Sequence, residues 1–336
     1  MNKEIRRFSN YSSLPVLIFV MFMQLSSAAV QIGLLTLERM LHTGIPQELK
    51  YLVIYFFIYP VGGGLAALIF YKTRKRETGL RLSGTFCKPQ MSAGRIIRWM
   101  VITWGAALIA SLITNIATSV IENLLHFESN KPSFDFGDGA GGFLVGFIAL
   151  CLFAPFFEEV IFRSAVYRHT EIMGQGFAII FSAAMFALMH GNLDQLLYTF
   201  VMGLGLAYIF AKTRSLPITI LLHFLTNFTS VFFTNIIGST GSDTDKLLSE
   251  FSRGNLAVII PSALYSLIIY GLMIAGIVLG IIELVHAIKR RQRLMGSIFP
   301  ISGVKKAVVF LTAPITLITI IIMVALLIVT TFALIK

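Results

Sequence analysis

Two adjacent glutamates and an arginine interrupt one of the most apolar stretches of this 336-residue chain. Glu158, Glu159 and Arg163 lie within residues 150–169, LCLFAPFFEEVIFRSAVYRH, most of whose other residues are apolar. An ionisable side chain at the centre of a transmembrane helix costs roughly 2.5 to 3.5 kcal/mol on insertion scales. We therefore interpret the three charged residues as part of a functional site.

The spacing of these residues gives them different partners on a helix. Glu159 and Arg163 are four residues apart and share one face, so they can form an ion pair. Glu158 points about 100° away from Glu159 and is left out of that pair. A carboxylate in this position could act as a general base toward water. A purely structural salt bridge is the alternative, although it would need one glutamate rather than two.

Two further polar patterns follow in later apolar runs. Phe186 is followed four residues later by His190, and His223 is followed four residues later by Asn227. A lone membrane histidine can be a hydrogen-bonded packing residue, but imidazole and carboxamide on one helical face can donate to one point, as an oxyanion hole requires. With a rise of 1.5 Å per residue, Glu158 and these polar residues lie within about 14 Å of one another in depth.

Several other intramembrane chemistries lack their sequence signatures. The chain contains no His-Glu-x-x-His metalloprotease motif and no Gly-x-Ser-x-Gly nucleophile elbow. Ser164 lies close to the carboxylates but has no histidine at helical spacing, so we do not expect a serine nucleophile. The remaining chemistry is water activated by a carboxylate, with or without a metal ion.

The elements that must hold these residues are transmembrane helices. The chain is 56% hydrophobic and only 13% charged, whereas soluble domains have about 25% charged residues. At about 20 apolar residues per span, we predict an all-α, polytopic membrane bundle of nine helices. We place them near residues 14–37, 51–71, 99–121, 143–167, 174–191, 195–211, 216–237, 256–288 and 307–335. Pro60 with Gly62, Gly63 and Gly64 predicts a kink or a close contact in the second helix, and Gly276 with Gly280 predicts a helix contact in the eighth.

The basic residues set the predicted orientation. The net charge is +11, but the lysines and arginines fall in short loops between apolar runs, which does not indicate nucleic-acid binding. The loop 72–98 and the segments 1–13 and 289–306 hold most of them. Because cytoplasmic loops carry an excess of Lys and Arg, we predict that the amino terminus and these loops are cytoplasmic.

The three patterns together resemble the CAAX protease and bacteriocin-processing (CPBP, or Abi) family of glutamate-dependent intramembrane proteases. The family pattern is Glu-Glu-x-x-x-Arg, then Phe-x-x-x-His, then His-x-x-x-Asn. The matching residues are Glu158, Glu159, Arg163, Phe186, His190, His223 and Asn227. The stretch HGNLDQLLYTFVMGLGLAYIFAKTRSLPITILLHFLTN is similar to the bacterial branch. The resemblance covers residues 143–236, a catalytic core between amino-terminal helices (1–142) and carboxy-terminal helices (237–336).

The resemblance implies a role for each site residue. Glu158 and His190 would position and activate water, and Arg163 with Glu159 would support the base. The other two residues, His223 and Asn227, would stabilise the tetrahedral oxyanion. Two histidines and a glutamate (His190, His223 and Glu158) could also form a zinc site with an open position. We favour a site without an obligatory metal.

These expectations define a leading function and its alternatives. We expect a multi-pass protein of a bacterial plasma membrane that hydrolyses a peptide bond in a membrane-associated peptide or lipidated protein. Its role would be peptide or leader processing, or bacteriocin self-immunity. A non-catalytic membrane scaffold that binds a partner protein is one alternative. A transporter with an intramembrane proton site is another, but it predicts an internal repeat that we do not find.

Overall fold

The computed structural model describes residues 1–125, 136, 139–237, 244–289 and 294–332. All regular structure in this part of the chain is helical, which confirms the predicted all-α bundle. The helices are α1 (Asn2–Leu41), α2 (residues 47–78), α3 (Ala93–Leu125), α4 (Gly139–Met173), α5 (Gln175–Met189), α6 (Leu193–Thr213), α7 (Leu216–Ile237), α8 (Thr244–Ser252), α9 (Leu256–Lys289), α10 (Gly303–Leu311) and α11 (Pro314–Phe332).

Eight of these helices are long and apolar enough to cross a membrane within the described residues, and α5 is a shorter apolar helix. Together they correspond to the nine predicted spans, and the chain is a multi-pass membrane protein. The prediction of a single helix over 307–335 is wrong at its start. Helix α10 ends at Leu311, and a new helix begins at Pro314. Proline is favoured at the first helical position since it has no N–H to donate. Residues 333–335 of that prediction lie outside the described ranges.

Helices α2 and α4 are not regular α-helices along their length. In α2 a π-helical segment, Phe57–Gly63, surrounds Pro60. In α4 two π-helical segments, Phe147–Phe153 and Val160–Tyr167, flank the α-helical segment Ala154–Glu159. Such π-helical insertions are rare and are found frequently at functional sites. Both glutamates of the predicted site therefore lie at the junction between two helical geometries.

Glycines let the backbone of α2 pack closely against side chains of the neighbouring helices. A Cβ added at Gly62 would lie 2.7 Å from Phe22 Cδ1 of α1, and one at Gly63 would lie 2.9 Å from Phe157 Cβ of α4. Real Cβ atoms do not come this close, so glycine is required for the observed packing. The close contact predicted for this part of the second helix is confirmed, and it presses α2 against the residue that precedes Glu158.

A second close crossing joins α3 and α9. A Cβ added at Gly276 would lie 2.8 Å from the Cα of Gly105 and 3.0 Å from the carbonyl oxygen of Val101. The predicted helix contact is thus confirmed at Gly276. At Gly280 the nearest neighbour, Ile102 Cγ2, would lie 3.8 Å away, which is an ordinary contact.

The loop after α2 and the α6–α7 turn close one end of the bundle. Ser215 donates a 2.6 Å hydrogen bond to the carbonyl oxygen of Cys87 in that loop. Arg214, in the turn, forms two 2.6 Å hydrogen bonds to the carboxylate of Glu171 at the end of α4. The paired guanidinium and carboxylate raise the pKa of Arg214 above its ordinary value. These contacts fix the start of α7 relative to α4, the two helices that carry most of the site.

Candidate active site

Glu159 is the centre of the buried polar network. Its side chain and that of Arg163 are both 0% exposed, and Arg163 Nε lies 3.1 Å from Glu159 Oε2. The other oxygen, Oε1, lies 3.1 Å from Nδ1 of His223 on α7. A carboxylate only accepts hydrogen bonds, so Nδ1 of His223 is the donor. Glu159 therefore joins α4 to α7, and the predicted i, i+4 ion pair is present.

Arg163 is held between α4 and α5. Its Nη1 lies 3.4 Å from Oγ of Ser182, which itself donates a 2.8 Å hydrogen bond to the carbonyl oxygen of Phe162. The guanidinium carbon lies 4.7 Å from the centroid of the Phe186 ring, within the range of a cation–π contact. The arginine is thus fixed on the side of Glu159 and is a supporting residue for that carboxylate.

Glu158 is buried, at 3% exposure, but has different partners. Its Oε1 accepts a 2.9 Å hydrogen bond from the hydroxyl of Tyr59 on α2. Its Oε2 lies 3.8 Å from Nε2 of His223, too far for a direct hydrogen bond. The two adjacent glutamates are therefore distinct: each oxygen of Glu159 lies 3.1 Å from a nitrogen of Arg163 or His223, whereas Glu158 keeps one oxygen without such a close contact. The sequence analysis missed Tyr59, whose only signal was a tyrosine beside Pro60 within a predicted span.

His190 lies in the tight turn between α5 and α6. Its Nδ1 is 2.8 Å from the carbonyl oxygen of Phe186, which only accepts, so Nδ1 donates and the lone pair of Nε2 remains. Gly191 follows with φ of +62°, a left-handed conformation that favours glycine. Asn192 then caps α6 by accepting a 2.8 Å hydrogen bond from the backbone N–H of Gln195. The sequence His-Gly-Asn thus places the imidazole at the end of α5.

The ring of Phe186 packs against both histidines. Its centroid lies 4.9 Å from that of His190 and 5.7 Å from that of His223, in each case edge to face. His190 also interacts electrostatically with Glu158 and His223. The structure therefore brings together the glutamates of α4, the histidine after α5 and the histidine of α7, as the depth estimate predicted.

Asn227 lies one turn beyond His223 on α7. Its Nδ2 donates a 2.7 Å hydrogen bond to the carbonyl oxygen of Leu150, in the first π-helical segment of α4. This bond ties α7 to α4 and uses one of the two amide hydrogens. The other hydrogen is available for a substrate, so the predicted role in an oxyanion hole stays a prediction.

The described part of the chain can be compared with the ligand sets of metal centres. Among the residues that the structure describes, no group of three or more His, Cys, Asp or Glu side chains could hold a metal ion. His223 directs Nδ1 to Glu159, and Glu158 has one oxygen bound to Tyr59. A histidine that donates Nδ1 to a carboxylate can still bind a metal through Nε2, so the zinc site considered for Glu158, His190 and His223 stays a prediction.

A cavity of about 490 Å³ lies between α2 and α4. Its walls are mainly apolar and include Leu68, Leu82, Phe156, Phe157 and Val160. Three of these residues flank the two glutamates in the sequence of α4. An apolar chain could therefore lie beside the helix that carries the carboxylates.

The comparison with known proteins agrees with this geometry. A family model described as "Type II CAAX prenyl endopeptidase Rce1-like" matches residues 140–229. No curated protein and no solved structure matches the chain. The match identifies residues 140–229 as an Rce1-like domain, in agreement with the resemblance, and indicates a peptidase, without separating a bacterial branch. It includes all six predicted site residues. They are Glu158, Glu159, Arg163, His190, His223 and Asn227.

Proposed function

Because residues 140–229 form an Rce1-like domain, we propose that this chain is an intramembrane endopeptidase that activates water with Glu158. One observation carries the proposal: two adjacent buried carboxylates have different partners. Glu159 contacts Arg163 and His223, whereas Glu158 keeps Oε2 without a direct partner, 3.8 Å from His223. A general base needs such an oxygen, since it must accept a proton from water.

In the proposed mechanism, water is held between Glu158 Oε2 and the lone pair of His190 Nε2. Glu158 accepts one proton from this water as the water oxygen attacks the carbonyl carbon of the scissile peptide bond. The resulting tetrahedral intermediate collapses with cleavage of the C–N bond. The proton on Glu158 passes to the leaving nitrogen, which departs as an amine, and the water oxygen stays on the new carboxyl group.

His223 and Asn227 would stabilise the oxyanion of that intermediate. The contact between His223 Nδ1 and Glu159 holds the ring in place, and an oxyanion role requires that Nε2 donates to the substrate. Asn227 would add the amide hydrogen that is not bound to Leu150. Removal of one such donor typically costs a factor of about 10² to 10³ in kcat. Arg163 would act through Glu159, whose orientation it holds.

The substrate we propose is a membrane-associated peptide or a lipidated protein. The name of the matching family refers to a CAAX prenyl endopeptidase. The cavity between α2 and α4 has an apolar lining suited to a lipid or an apolar peptide. We further propose that the chain works in a bacterial plasma membrane with its amino terminus in the cytoplasm. Its role there would be leader or peptide processing, or bacteriocin self-immunity.

The test is a comparison of membrane proteomes from cells with wild type, Glu158→Gln or Glu4→Gln at matched protein level. Glutamine is nearly isosteric with glutamate but cannot accept the proton from water. Glu4, at the exposed start of α1, has a side chain that is 68% exposed and serves as the control. We expect new peptide termini with wild type and Glu4→Gln that are lost with Glu158→Gln.

Identical termini in all three strains would contradict the proposal. If Glu158→Gln also replaced wild type in a deletion strain, the chain would act as a membrane scaffold that binds a partner protein.

A further inference from the structure

A tyrosine outside the matched domain contacts the proposed base. Tyr59 lies in the π-helical segment of α2, whereas the family model covers residues 140–229. Its hydroxyl donates a 2.9 Å hydrogen bond to Glu158 Oε1. This is the hydrogen bond that the structure gives to the carboxylate of Glu158. The contact therefore links an amino-terminal helix directly to the chemistry of α4.

The Tyr59 ring is held in place by its surroundings. The side chain is 9% exposed. Its ring is stacked with that of Tyr55 one turn earlier, with centroids 6.1 Å apart and planes at 13°, and it packs 5.9 Å from the ring of Phe19. The close approach of Gly63 to Phe157 fixes the distance between α2 and α4 at this level. The hydroxyl is thus aimed at Glu158 by packing on both helices.

We propose that Tyr59 is a positioning residue for Glu158. The inference rests on the proposed role of Glu158 as the base. A hydrogen bond to Oε1 restrains the carboxylate so that Oε2 keeps its position 3.8 Å from His223 Nε2. In the proposed mechanism this oxygen holds the water together with His190. The tyrosine therefore orients the base toward the water.

The test compares Tyr59→Phe with Tyr55→Phe in the purified full chain in lipid nanodiscs. Each variant removes one hydroxyl from the same helix and keeps the ring, but only Tyr59 bonds to Glu158. The probe is a synthetic peptide spanning the bond that wild type cuts and Glu158→Gln does not. We expect Tyr59→Phe to lower kcat roughly 10- to 100-fold, the effect of losing a hydrogen bond to a charged group, with little change in KM.

The unfolding midpoint separates positioning from a loss of structure. Because each variant keeps its aromatic ring, we expect the midpoints of Tyr59→Phe and Tyr55→Phe to stay close to that of wild type, while kcat falls only in Tyr59→Phe. Wild-type rates in Tyr59→Phe, with Glu158→Gln inactive, would overturn the role of Tyr59 and leave the proposed function intact.

An infrared measurement tests the contact without any substrate. The carboxylate band of Glu158 is the band lost in the difference spectrum between wild type and Glu158→Gln. We expect this band to shift in Tyr59→Phe and to stay unchanged in Tyr55→Phe. An unchanged band in both variants would overturn the inference, whether or not a cleaved substrate is found. Failure to find a cleaved bond would count against the proposed function and not against the contact between Tyr59 and Glu158.

Discussion

At the scale of single residues, helix geometry separates the tasks of two neighbouring carboxylates. Glu159 lies on the face of Arg163 and is neutralised by it, whereas Glu158 is turned toward α2. Both oxygens of Glu159 already face a nitrogen, of Arg163 or of His223, so neither is placed to accept a proton from water. The residue that can accept a proton is therefore the one that the ion pair leaves out.

Asn227 gives a prediction at this scale. If its free amide hydrogen stabilises the oxyanion, Asn227→Ala should lower kcat by about 10² to 10³ while KM changes little. Steady-state kinetics with the peptide probe measure kcat and KM. The control variant is Asn123→Ala, which changes an exposed asparagine of α3. A raised KM at unchanged kcat would assign Asn227 to substrate binding instead.

Contacts within one helix could be predicted from the sequence, because they depend on local spacing. The i, i+4 spacings determine which side chains share a face, and the structure has the Glu159–Arg163 pair that this spacing predicts. The contacts between helices could not be derived this way. Tyr59 is 99 residues from Glu158, and its hydroxyl reaches the carboxylate only because α2 and α4 pack closely.

At the scale of elements, irregular helices aim the functional side chains. The π-helical segment of α2 contains Tyr59, and one π-helical segment of α4 begins directly after Glu159. An apolar pattern alone does not reveal them. The glycines near Pro60 did indicate a special contact, because a run of small residues lets helices approach closely. Which helix they contact depends on the tertiary fold and could not be predicted.

Two neighbouring glycines of α2 provide a matched test of this packing. A Cβ at Gly63 would lie 2.9 Å from Phe157 Cβ, whereas one at Gly64 would lie 3.7 Å from Phe157 Cε1. We expect Gly63→Ala to destabilise the folded state by about 1 to 3 kcal/mol, as overpacking does. It should also reduce kcat, because it displaces α2 from Glu158. Thermal unfolding in detergent measures the loss of stability. Equal unfolding midpoints for Gly63→Ala and Gly64→Ala would refute the steric account.

At the scale of the whole molecule, the terminal helices belong to the same packed body as the Rce1-like domain. Ser9 of α1 bonds to Thr316 of α11 with a 2.6 Å separation of hydroxyl oxygens. Thr330 of α11 donates to the carbonyl oxygen of Gly191, next to His190. By contrast, α9 has many exposed apolar side chains, such as Leu267 at 71%, as expected for a lipid-facing helix. Support for the site thus extends well beyond residues 140–229.

The α3–α9 crossing allows stability to be separated from catalysis. A Cβ at Gly276 would meet backbone atoms of α3 within 3.0 Å, whereas one at Gly280 would make an ordinary 3.8 Å contact. We expect Gly276→Ala to lower the unfolding midpoint while the kcat of the folded enzyme is retained, because neither helix contributes a proposed site residue. Gly280→Ala should resemble wild type. A selective loss of kcat in Gly276→Ala would show that this crossing controls the site.

The measurement that tests the central claim most directly is the turnover of purified Glu158→Gln in nanodiscs on the peptide that wild type cleaves. The unfolding midpoint of the variant should match that of wild type, since the change is nearly isosteric. With that control satisfied, the account predicts that cleavage falls to the rate of the peptide alone, because no other described side chain replaces the base. Cleavage within tenfold of wild type would contradict the assignment of Glu158 as the residue that activates water.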